Sequence, residues 1–390
     1  MEPISILALQ QISGVGVKTI EKILSITDLL EPTCPLDLIE ILKKANGEFG
    51  RISIPDIQDA NKGWDKAHEI INISQKQNIK IISRESPYYP ECLSIIDNPP
   101  VLLHVKGNLE ALNKNSIAIV GTRKPSDFGK NQAKKIAKLF AKEGYVVISG
   151  LAEGIDSAAH KGALETNGQT VAVLAHGLDI VYPYKNKELA DAIIINNGAL
   201  VSEYPSGTKI FNSFFVERDR IQSGLSLGVL VIETGIKGGT MHTVGFCEKQ
   251  KRVLIVMKHP LNSPEASKQS GNNQLIADNR ANIVFENDDD VYLAKTLMQK
   301  KKDELYALKS AYQSGSKITS MSRPSLLVTL DRCEHASTIK EEVSAFVSAY
   351  KLNLSVPLAG YAQSNKKKKR GKKISATSNN RKLEDFEDAH

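Results

Sequence analysis

Short loops that combine glycine with basic or hydroxyl side chains recur along the chain, and their composition suits phosphate groups. The loop residues of interest are Gly121 with Arg123, Gly150, and the run Gly238, Gly239 and Thr240. A glycine lets backbone amides approach an anion closely, and a guanidinium group donates two parallel hydrogen bonds to a phosphate. The residue types therefore predict a phosphate-binding site, provided that the fold brings the loops together.

None of these loops is a standard nucleotide motif. GxGxxG and GxxxxGK[ST] are both missing from the sequence, which disfavours dinucleotide-binding and ATPase functions. Residues 224–228 match GxSxG, but the apolar run follows the serine, whereas a nucleophile elbow needs a strand before it. His160 and His242 are candidate general bases at loop–helix junctions, although a helix-end histidine bonded to backbone is the favoured interpretation. We therefore expect no catalytic residue among Ser226, His160 and His242.

Cysteine and histidine spacing gives no sign of a metal or cofactor site. Cys34, Cys92, Cys247 and Cys333 form no CxxC pair, and the eight histidines form no HExxH. We expect free thiols in a reducing cytoplasm, with no metal and no cofactor. The apolar runs are far shorter than the roughly 18 residues of a membrane-spanning helix. No basic segment precedes an apolar stretch at the N-terminus, so a secretory leader is not expected either.

The elements that must position the loops follow an alternating pattern from residue 116 to about 293. Apolar runs occupy residues 117–120, 145–149, 170–174, 198–202, 227–232 and 252–257. Continuous apolar strands that alternate with helices specify an α/β fold, here a Rossmann-like, mostly parallel sheet with helices on both faces. Ligands bind such a sheet beyond the carboxyl ends of its strands, where the glycine-bearing loops would meet.

The flanking segments predict smaller units. Residues 1–83 are predicted to form a helical domain, in which residues 12–20 have the pattern of a helix-hairpin-helix turn. Gly14, Gly16 and Lys18 would then be auxiliary phosphate-binding residues, and an ordinary turn between two helices is the alternative. Prolines between residues 84 and 112 mark a boundary. Residues 294–360 form a C-terminal segment of unclear fold, with helices near 300–308 and 338–349 and a strand at 325–330.

Basic residues concentrate in the tail. The chain of 390 residues has 51 Lys and Arg against 44 Asp and Glu, a net charge of +7. Residues 361–390 carry +5 of this excess, which leaves +2 for the rest. The tail holds the run Lys366, Lys367, Lys368, Lys369 and Arg370. Like charges keep such a run disordered, and it is either a non-specific DNA-binding arm or a solvated end.

Aromatic residues near the loops would offer stacking surfaces for unpaired bases. The set comprises Tyr88, Tyr89, Tyr182, Tyr184, Phe211, Phe214 and Phe215. Most aromatic side chains on such a scaffold belong to the core. We therefore expect only one or two of the seven to be exposed.

The order of several short motifs resembles the DNA-processing protein DprA (Smf) family. The motifs are YP at 89–90, DNPP at 97–100, IVGTR at 119–123, SGLAEGID at 149–156, GLD at 177–179, SEYP at 202–205 and GNNQLI at 271–276. Together they cover residues 84–293. The resemblance implies a Rossmann-like domain that binds single-stranded DNA without sequence preference. It also implies a role in natural transformation, in which incoming DNA is protected and handed to RecA by a dimer that is not an enzyme.

The resemblance also assigns site residues by motif position. Arg123, Lys187, Arg218 and Arg220 would face phosphates, whereas Gly121, Gly150, Gly238 and Gly239 would shape the pocket. Tyr184 stands where a lysine often follows the Tyr-Pro pair, with Lys185 next to it. Val216, Asp219 and Glu153 replace a proline, an asparagine and a frequently basic residue. These departures remove a cation, add anions and alter a turn, and so indicate a divergent member.

Two alternatives remain open at the level of sequence. One is a sensor of the same fold that binds a small nucleotide, for example in anti-phage defence. The other is a nucleotide phosphoribohydrolase, whose Gly-Gly-x-Gly-Thr-x-x-Glu loop is similar to residues 238–243. Residues 238–243 lack the terminal glutamate of that motif, so the second alternative is the weaker one.

Overall fold

A single sheet forms the centre of the computed structural model, which describes residues 1–260 and 266–315. Its strands are β1 (Ile79–Ser83), β2 (Leu102–Gly107), β3 (Ser116–Val120), β4 (Val146–Ser149), β5 (Thr170–Leu174), β6 (Ala199–Ser202), β7 (Gly228–Val231), β8 (Val253–Met257) and β9 (Ile283–Phe285). Their order in the sheet is β1-β2-β6-β5-β4-β3-β7-β8-β9. β3 to β9 pair in parallel, whereas β2 pairs antiparallel with both β1 and β6. The predicted α/β class is confirmed.

Helices cover both faces of this sheet. They are α1 (Pro3–Gln11), α2 (Val17–Ser25), α3 (Pro35–Phe49), α4 (Ile57–Lys76), α5 (Glu91–Ser94), α6 (Asp127–Lys142), α7 (Ile155–Leu164), α8 (Lys187–Ile195), α9 (Asn212–Leu225), α10 (Thr240–Lys249), α11 (Ser270–Ala277) and α12 (Asp290–Gly315). Successive strand residues serve opposite layers, since side chains alternate along a strand. Ile117 and Ile119 of β3 pack with α6, α7 and α12. Ala118 and Val120 pack with α9 and α10.

The N-terminal helices share a core of their own, in which Ile6, Leu38 and Ile70 meet Leu102 of β2. The helical prediction for residues 1–83 needs one correction, because its last five residues form the edge strand β1. Ile79 and Ile82 are buried whereas Lys80 is exposed, and these residues pair with β2 from Ile79↔Lys106 to Ser83↔Leu102. The apolar pattern of so short a segment suits a strand and a buried helix end equally well.

The C-terminal boundary also differs from the prediction, because α12 continues across residues 293 and 294. Ala294 and Met298 are buried against the sheet. The Met298 sulfur lies 2.8 Å from where a Cβ on Gly228 would be, so this glycine admits the helix. The helix expected at 300–308 is part of α12. The segments predicted at 325–330 and 338–349, and the basic tail, lie outside the described residues.

The strand order reverses at β3. β4, β5 and β6 lie on one side of it, and β7, β8 and β9 lie on the other. In open parallel sheets this reversal opens a crevice beyond the carboxyl ends of the two strands, here β3 and β7. Among the helices of the described segments, none is long and apolar enough to cross a membrane.

Candidate nucleic-acid interface

The loop after β3 is held in the crevice by backbone contacts. The Thr122 amide donates to the Glu233 carbonyl at 2.8 Å, and the Ile155 amide donates to the Thr122 carbonyl at 3.2 Å. A Cβ on Gly121 would lie 2.6 Å from the Ile155 side chain. Glycine is therefore required for this close approach to Ile155, and the predicted approach of Gly121 to an anion stays a prediction.

Arg123 extends from this loop as an exposed cation. Its guanidinium carbon lies 5.2 Å from the centroid of the Phe215 ring on α9, within the range of a cation–π contact. No carboxylate of the described residues lies within ion-pair distance of it. The positive charge of Arg123 is thus available to a ligand at the crevice.

Glu233, directly after β7, anchors the start of α6. It is buried, and its carboxylate accepts hydrogen bonds from the Ser126 amide at 2.9 Å and from the Ser126 hydroxyl. The same hydroxyl accepts from the Gly129 amide and caps α6. Glu233 was not among the predicted site residues. Its available signal was an acid placed immediately after the apolar run 227–232.

The loop after β4 meets the loop after β3. The Asp156 carboxylate on α7 accepts from the amides of Gly150 at 3.0 Å and Ala152 at 3.4 Å. Gly154 has φ +76°, and a Cβ there would lie 2.5 Å from the carbonyl oxygens of Thr122 and Arg123. Because both loops are fixed in this way, the position of Arg123 is set by β3 and β4 together.

The predicted phosphate contact of Arg218 needs correction, because its side chain is buried beneath the loops. Its Nη1 donates to the carbonyl oxygens of Gly150 at 3.0 Å and Val173 at 2.5 Å. Its Nε donates to the Asp219 carboxylate at 3.2 Å. A Cβ on Gly150 would lie 2.1 Å from Nη1, so Gly150 makes room for this guanidinium rather than for a ligand. Arg218 ties β4 and β5 to α9.

Asp219 belongs to α9, and its side chain faces Thr243 of α10. Burial raises the pKa of Asp219 to about 6, against the opposing effects of Arg218 and of a hydrogen bond with the Thr243 side chain. The buried Asp156 carboxylate nearby contributes to the same upward shift of the pKa. The carboxyl group therefore titrates close to neutral pH, well above an exposed aspartate.

The remaining predicted cations of the sheet domain are paired with carboxylates. The Nη2 of Arg220 donates to both carboxylate oxygens of Glu203 at 2.7 Å, and the Arg220 side chain is mostly buried. Lys187 pairs with Asp191 at 2.7 Å, and Lys185 pairs with Glu153. Both lysines are exposed, and exposed pairs contribute little stability. They can exchange a carboxylate for a phosphate, whereas Arg220 cannot do so easily.

The third predicted loop precedes α10 beside the same crevice. The Gly238 amide donates to the Gly235 carbonyl at 3.0 Å, and a Cβ on Gly238 would lie 2.6 Å from the Thr234 hydroxyl. Gly239 is the N-cap of α10, Thr240 is its first residue, and no side chain caps this terminus. The turn therefore leaves the helix with its N-terminal amides uncapped by protein side chains.

The aromatic residues are more exposed than predicted. Four of the seven are exposed, namely Tyr88, Tyr182, Tyr184 and Phe211. Tyr184 is 79% exposed, whereas Tyr89 is buried and its hydroxyl donates to the Pro100 carbonyl. The exposed rings other than Tyr88 stand beyond the strand ends or next to the first turn of α9, where no layer of the described residues covers them.

Five rings near the crevice form two contacting groups, which neighbour each other through Phe214 and Phe215 on α9. We call this set the aromatic shelf: Tyr182, Tyr204, Phe211, Phe214 and Phe215. Phe215 lies 6.2 Å from Tyr182 between ring centroids, and Tyr204 stacks on Phe214 at 4.1 Å. Phe211 meets Phe214 edge to face at 5.1 Å. Since Arg123 lies over Phe215, the shelf begins at a cation that has no carboxylate of residues 1–260 or 266–315 within ion-pair distance.

The two histidine candidates have different surroundings. His160 lies inside α7 rather than at a junction, and its Nδ1 is 2.7 Å from the Thr170 hydroxyl. Burial lowers the pKa of His160 to about 3, so the ring is a neutral core group. His242 is exposed on the first turn of α10. The Thr170 hydroxyl is itself buried and donates to the Val147 carbonyl at 2.6 Å, so the His160–Thr170 pair is part of the core.

The auxiliary residues of the N-terminal helices lie at a different element. Gly14 has φ +81°, Gly16 is the N-cap of α2, and Lys18 is exposed on its first turn. These residues belong to the turn between α1 and α2, not to the loops of the sheet.

The described residues contain no metal site that would extend the candidate interface, and a cavity near β9 lies apart from it. No group of three or more His, Cys, Asp or Glu side chains in residues 1–260 and 266–315 is arranged to hold a metal ion. A cavity of about 420 Å³ lies at the ends of β8 and β9, between Lys135, Met257, Phe285 and Asp288. It is lined by strands outside the β3–β7 crevice.

Comparison with known proteins identifies relatives along most of the described chain. Residues 80–295 match the family model described as DNA recombination-mediator protein A. Protein Smf of Synechocystis sp. is 33% identical over 285 residues, which are 72% of this chain and 70% of that one. The DNA processing protein DprA of Bacillus subtilis is 35% identical over 204 residues, 52% of this chain and 68% of that one.

Solved structures show the same fold. The X-ray structure of DNA processing protein A from Streptococcus pneumoniae aligns with a TM-score of 0.60 at 27% identity, over 73% of this chain and 95% of that one. The protein from Helicobacter pylori, solved for its single-stranded DNA binding mode, aligns with a TM-score of 0.50 at 28% identity. That alignment covers 57% of this chain and 96% of that one.

Proposed function

Because this chain belongs to the DNA recombination-mediator protein A family, we propose that it binds single-stranded DNA at the β3–β7 crevice. The observation that carries the proposal is the exposed guanidinium of Arg123 over Phe215, at the start of the aromatic shelf. A cation next to exposed rings matches the two parts of a single strand, its phosphates and its unpaired bases. The single-stranded DNA binding mode of the Helicobacter pylori relative supports the same ligand.

Binding would combine one strong phosphate contact with base stacking. Arg123 holds a phosphate by a charge-assisted hydrogen bond, and bases lie on Tyr182 and Phe211, which are about half exposed. Every base has a π-face, so this surface binds without sequence preference. Lys185 and Lys187 add charge when they leave Glu153 and Asp191 for the strand.

We propose a binding protein rather than an enzyme. His160 is a neutral core residue, and Ser226 bonds to the Ser223 carbonyl at the end of α9 instead of standing in an exposed elbow. Thr243 occupies the last position of the loop that resembles phosphoribohydrolases, and it bonds to Asp219. We expect no release of base from nucleoside monophosphates. By the role of the family, the bound strand would be protected by a dimer and passed to RecA.

Abasic strands test the stacking part of this proposal. The full chain would be titrated into labelled oligothymidylate and into an abasic strand of the same length, with fluorescence anisotropy as the readout. We expect the abasic strand to bind at least about tenfold more weakly, since each stacked base contributes about 1–3 kcal/mol. Equal affinity for the two strands would contradict the role of the aromatic shelf. Binding of neither strand would refute the proposed function.

A further inference from the structure

We propose that the outer face of α6 is a second phosphate-binding surface, along which a DNA strand continues after it leaves Arg123. The surface, called the lysine stripe here, consists of Lys130, Lys134, Lys138 and Lys142. The inference rests on the proposed function, because it extends the path of the same strand. It concerns residues that lie outside the loops of the crevice.

The spacing of the lysine stripe follows from helix geometry. Its members recur every fourth residue, so they stand about 6 Å apart along the axis and span about 18 Å. Another part of the α6 circumference is buried through Ala133, Ile136, Ala137 and Phe140, whereas the lysines of the stripe are exposed apart from the half-buried Lys138. The apolar face therefore directs the lysines outward, at a spacing comparable to that of successive phosphates in an extended strand.

Carboxylates balance only part of this charge. Glu165 of α7 serves both Lys134 and Lys138, the latter at 3.8 Å. It reaches them because α7 approaches α6 at Gly162, where a Cβ would lie 2.2 Å from the Lys134 carbonyl. Lys130 and Lys142 have no carboxylate within ion-pair distance among the described residues. The exposed Asp127 is the one acid of α6 itself, so the face stays positive.

The lysine stripe is continuous with the crevice. α6 begins after its N-cap Ser126, three residues beyond Arg123, and Lys130 stands one turn further on. A strand held at Arg123 meets Lys130 first and the remaining lysines in order. A protein partner fits less well, since protein interfaces centre on apolar anchors, and α6 has no large hydrophobic side chain among those exposed in the described chain.

A charge-neutralised variant tests the lysine stripe. K130Q/K134Q/K138Q would be compared with wild type and with K62Q/K66Q/K76Q, a matched triple on α4. Labelled oligothymidylates of about 6 and about 30 nucleotides would serve as short and long probes. We expect the stripe variant to bind the long probe about tenfold more weakly, with a log–log salt slope smaller by about 2, since each phosphate contact contributes about 0.7. The short probe should bind unchanged.

Glu165→Gln is the second variant, and it tests for a gain of DNA affinity instead of a loss. Removal of the shared carboxylate frees Lys134 and Lys138, so the long probe should bind more tightly while the unfolding midpoint stays the same. If K130Q/K134Q/K138Q binds the long probe as the α4 triple does, the lysine stripe is refuted and the crevice proposal stands. If wild type binds neither probe, the proposed function itself fails.

Discussion

Arg123 and Arg218 show how the environment of a side chain decides its role. The motif resemblance assigns both to phosphates, yet only Arg123 is exposed. Arg218 is 6% exposed and donates to two backbone carbonyls and to Asp219. A guanidinium that is already coordinated in this way holds the loops in place, and the loops in turn present Arg123.

The same substitution at the two arginines should separate these roles. Arg218→Met leaves the carbonyls of Gly150 and Val173 without their donor and the nearby carboxylates without their cation. We expect it to lower the free energy of unfolding by about 3–5 kcal/mol, as is typical when one partner of a buried charge network is removed. Urea denaturation would measure the loss. Arg123→Met is the control and should leave stability nearly unchanged; a stable Arg218→Met protein would contradict the structural role.

Asp219 should make stability depend on pH in a defined direction. Its folded-state pKa, about 6, is raised above the ordinary value of 3.8, so the folded protein binds the proton more tightly than the unfolded chain does. The contribution of Asp219 to the free energy of unfolding is therefore highest below about pH 4 and falls as the pH rises towards 6.

Asp219→Asn should remove this dependence. We expect the variant to be more stable than wild type at pH 7.5, by about 1–3 kcal/mol, and to lose part of the slope between pH 4 and 6. Some slope would remain, because burial also raises the pKa of Asp156. Urea unfolding across this pH range measures both effects. A variant that loses stability at pH 7.5 but not at pH 4.5 would show that the ionised carboxylate is favourable.

At the scale of elements, Glu233 couples the end of β7 to the start of α6. Its carboxylate accepts from the Ser126 amide and hydroxyl, so it fixes the helix that follows the Arg123 loop. We expect Glu233→Ala to cost about 1–3 kcal/mol of stability, because a buried amide loses its acceptor. It should also weaken DNA binding by displacing Arg123.

Glu233→Gln is the matched control for that prediction. A glutamine carbonyl still accepts from the Ser126 amide, so stability and DNA affinity should lie between those of wild type and Glu233→Ala. Thermal unfolding and fluorescence anisotropy would measure the two properties. If Glu233→Ala changed neither, the coupling of β7 to α6 would be refuted.

The elements of the sheet were predictable wherever apolar runs were continuous. β3 to β8 all lie within or next to runs that the sequence marked, since parallel strands are buried on both faces. β1 and β2 were not recognised, because a short antiparallel strand near prolines gives a weak pattern. The role of Arg218 was also beyond prediction, since its acceptors Gly150 and Val173 lie 68 and 45 residues away along the chain.

The exposure of the aromatic shelf, like the role of Arg218, could not be predicted from the residue types. Aromatic residues are usually buried, but Tyr182 and Phe211 stand in segments beyond the strand ends. Sequence alone does not reveal how much of the surface another layer will cover. The loop glycines were predicted for phosphate, but Gly121 allows close packing against Ile155 and Gly150 makes room for Arg218, and such contacts between distant segments are not visible in the sequence.

At the scale of the whole molecule, positive charge is concentrated at a few places. Residues 361–390 hold +5 of the net +7, so charge alone would place DNA on the tail. The crevice instead offers Arg123 beside the aromatic shelf, with Glu153 and Glu203 close to other cations. We therefore expect the tail to strengthen attraction at low salt, and the crevice to hold the strand.

One comparison tests this claim most directly. Labelled single-stranded DNA would be titrated over a salt series with the full chain, with Arg123→Ala, and with a variant in which residues 366–370 are replaced by glutamine. We predict that the tail variant still binds at moderate salt, whereas Arg123→Ala binds about tenfold more weakly and loses about 0.7 of the log–log slope. Retained binding by Arg123→Ala together with lost binding by the tail variant would contradict the account.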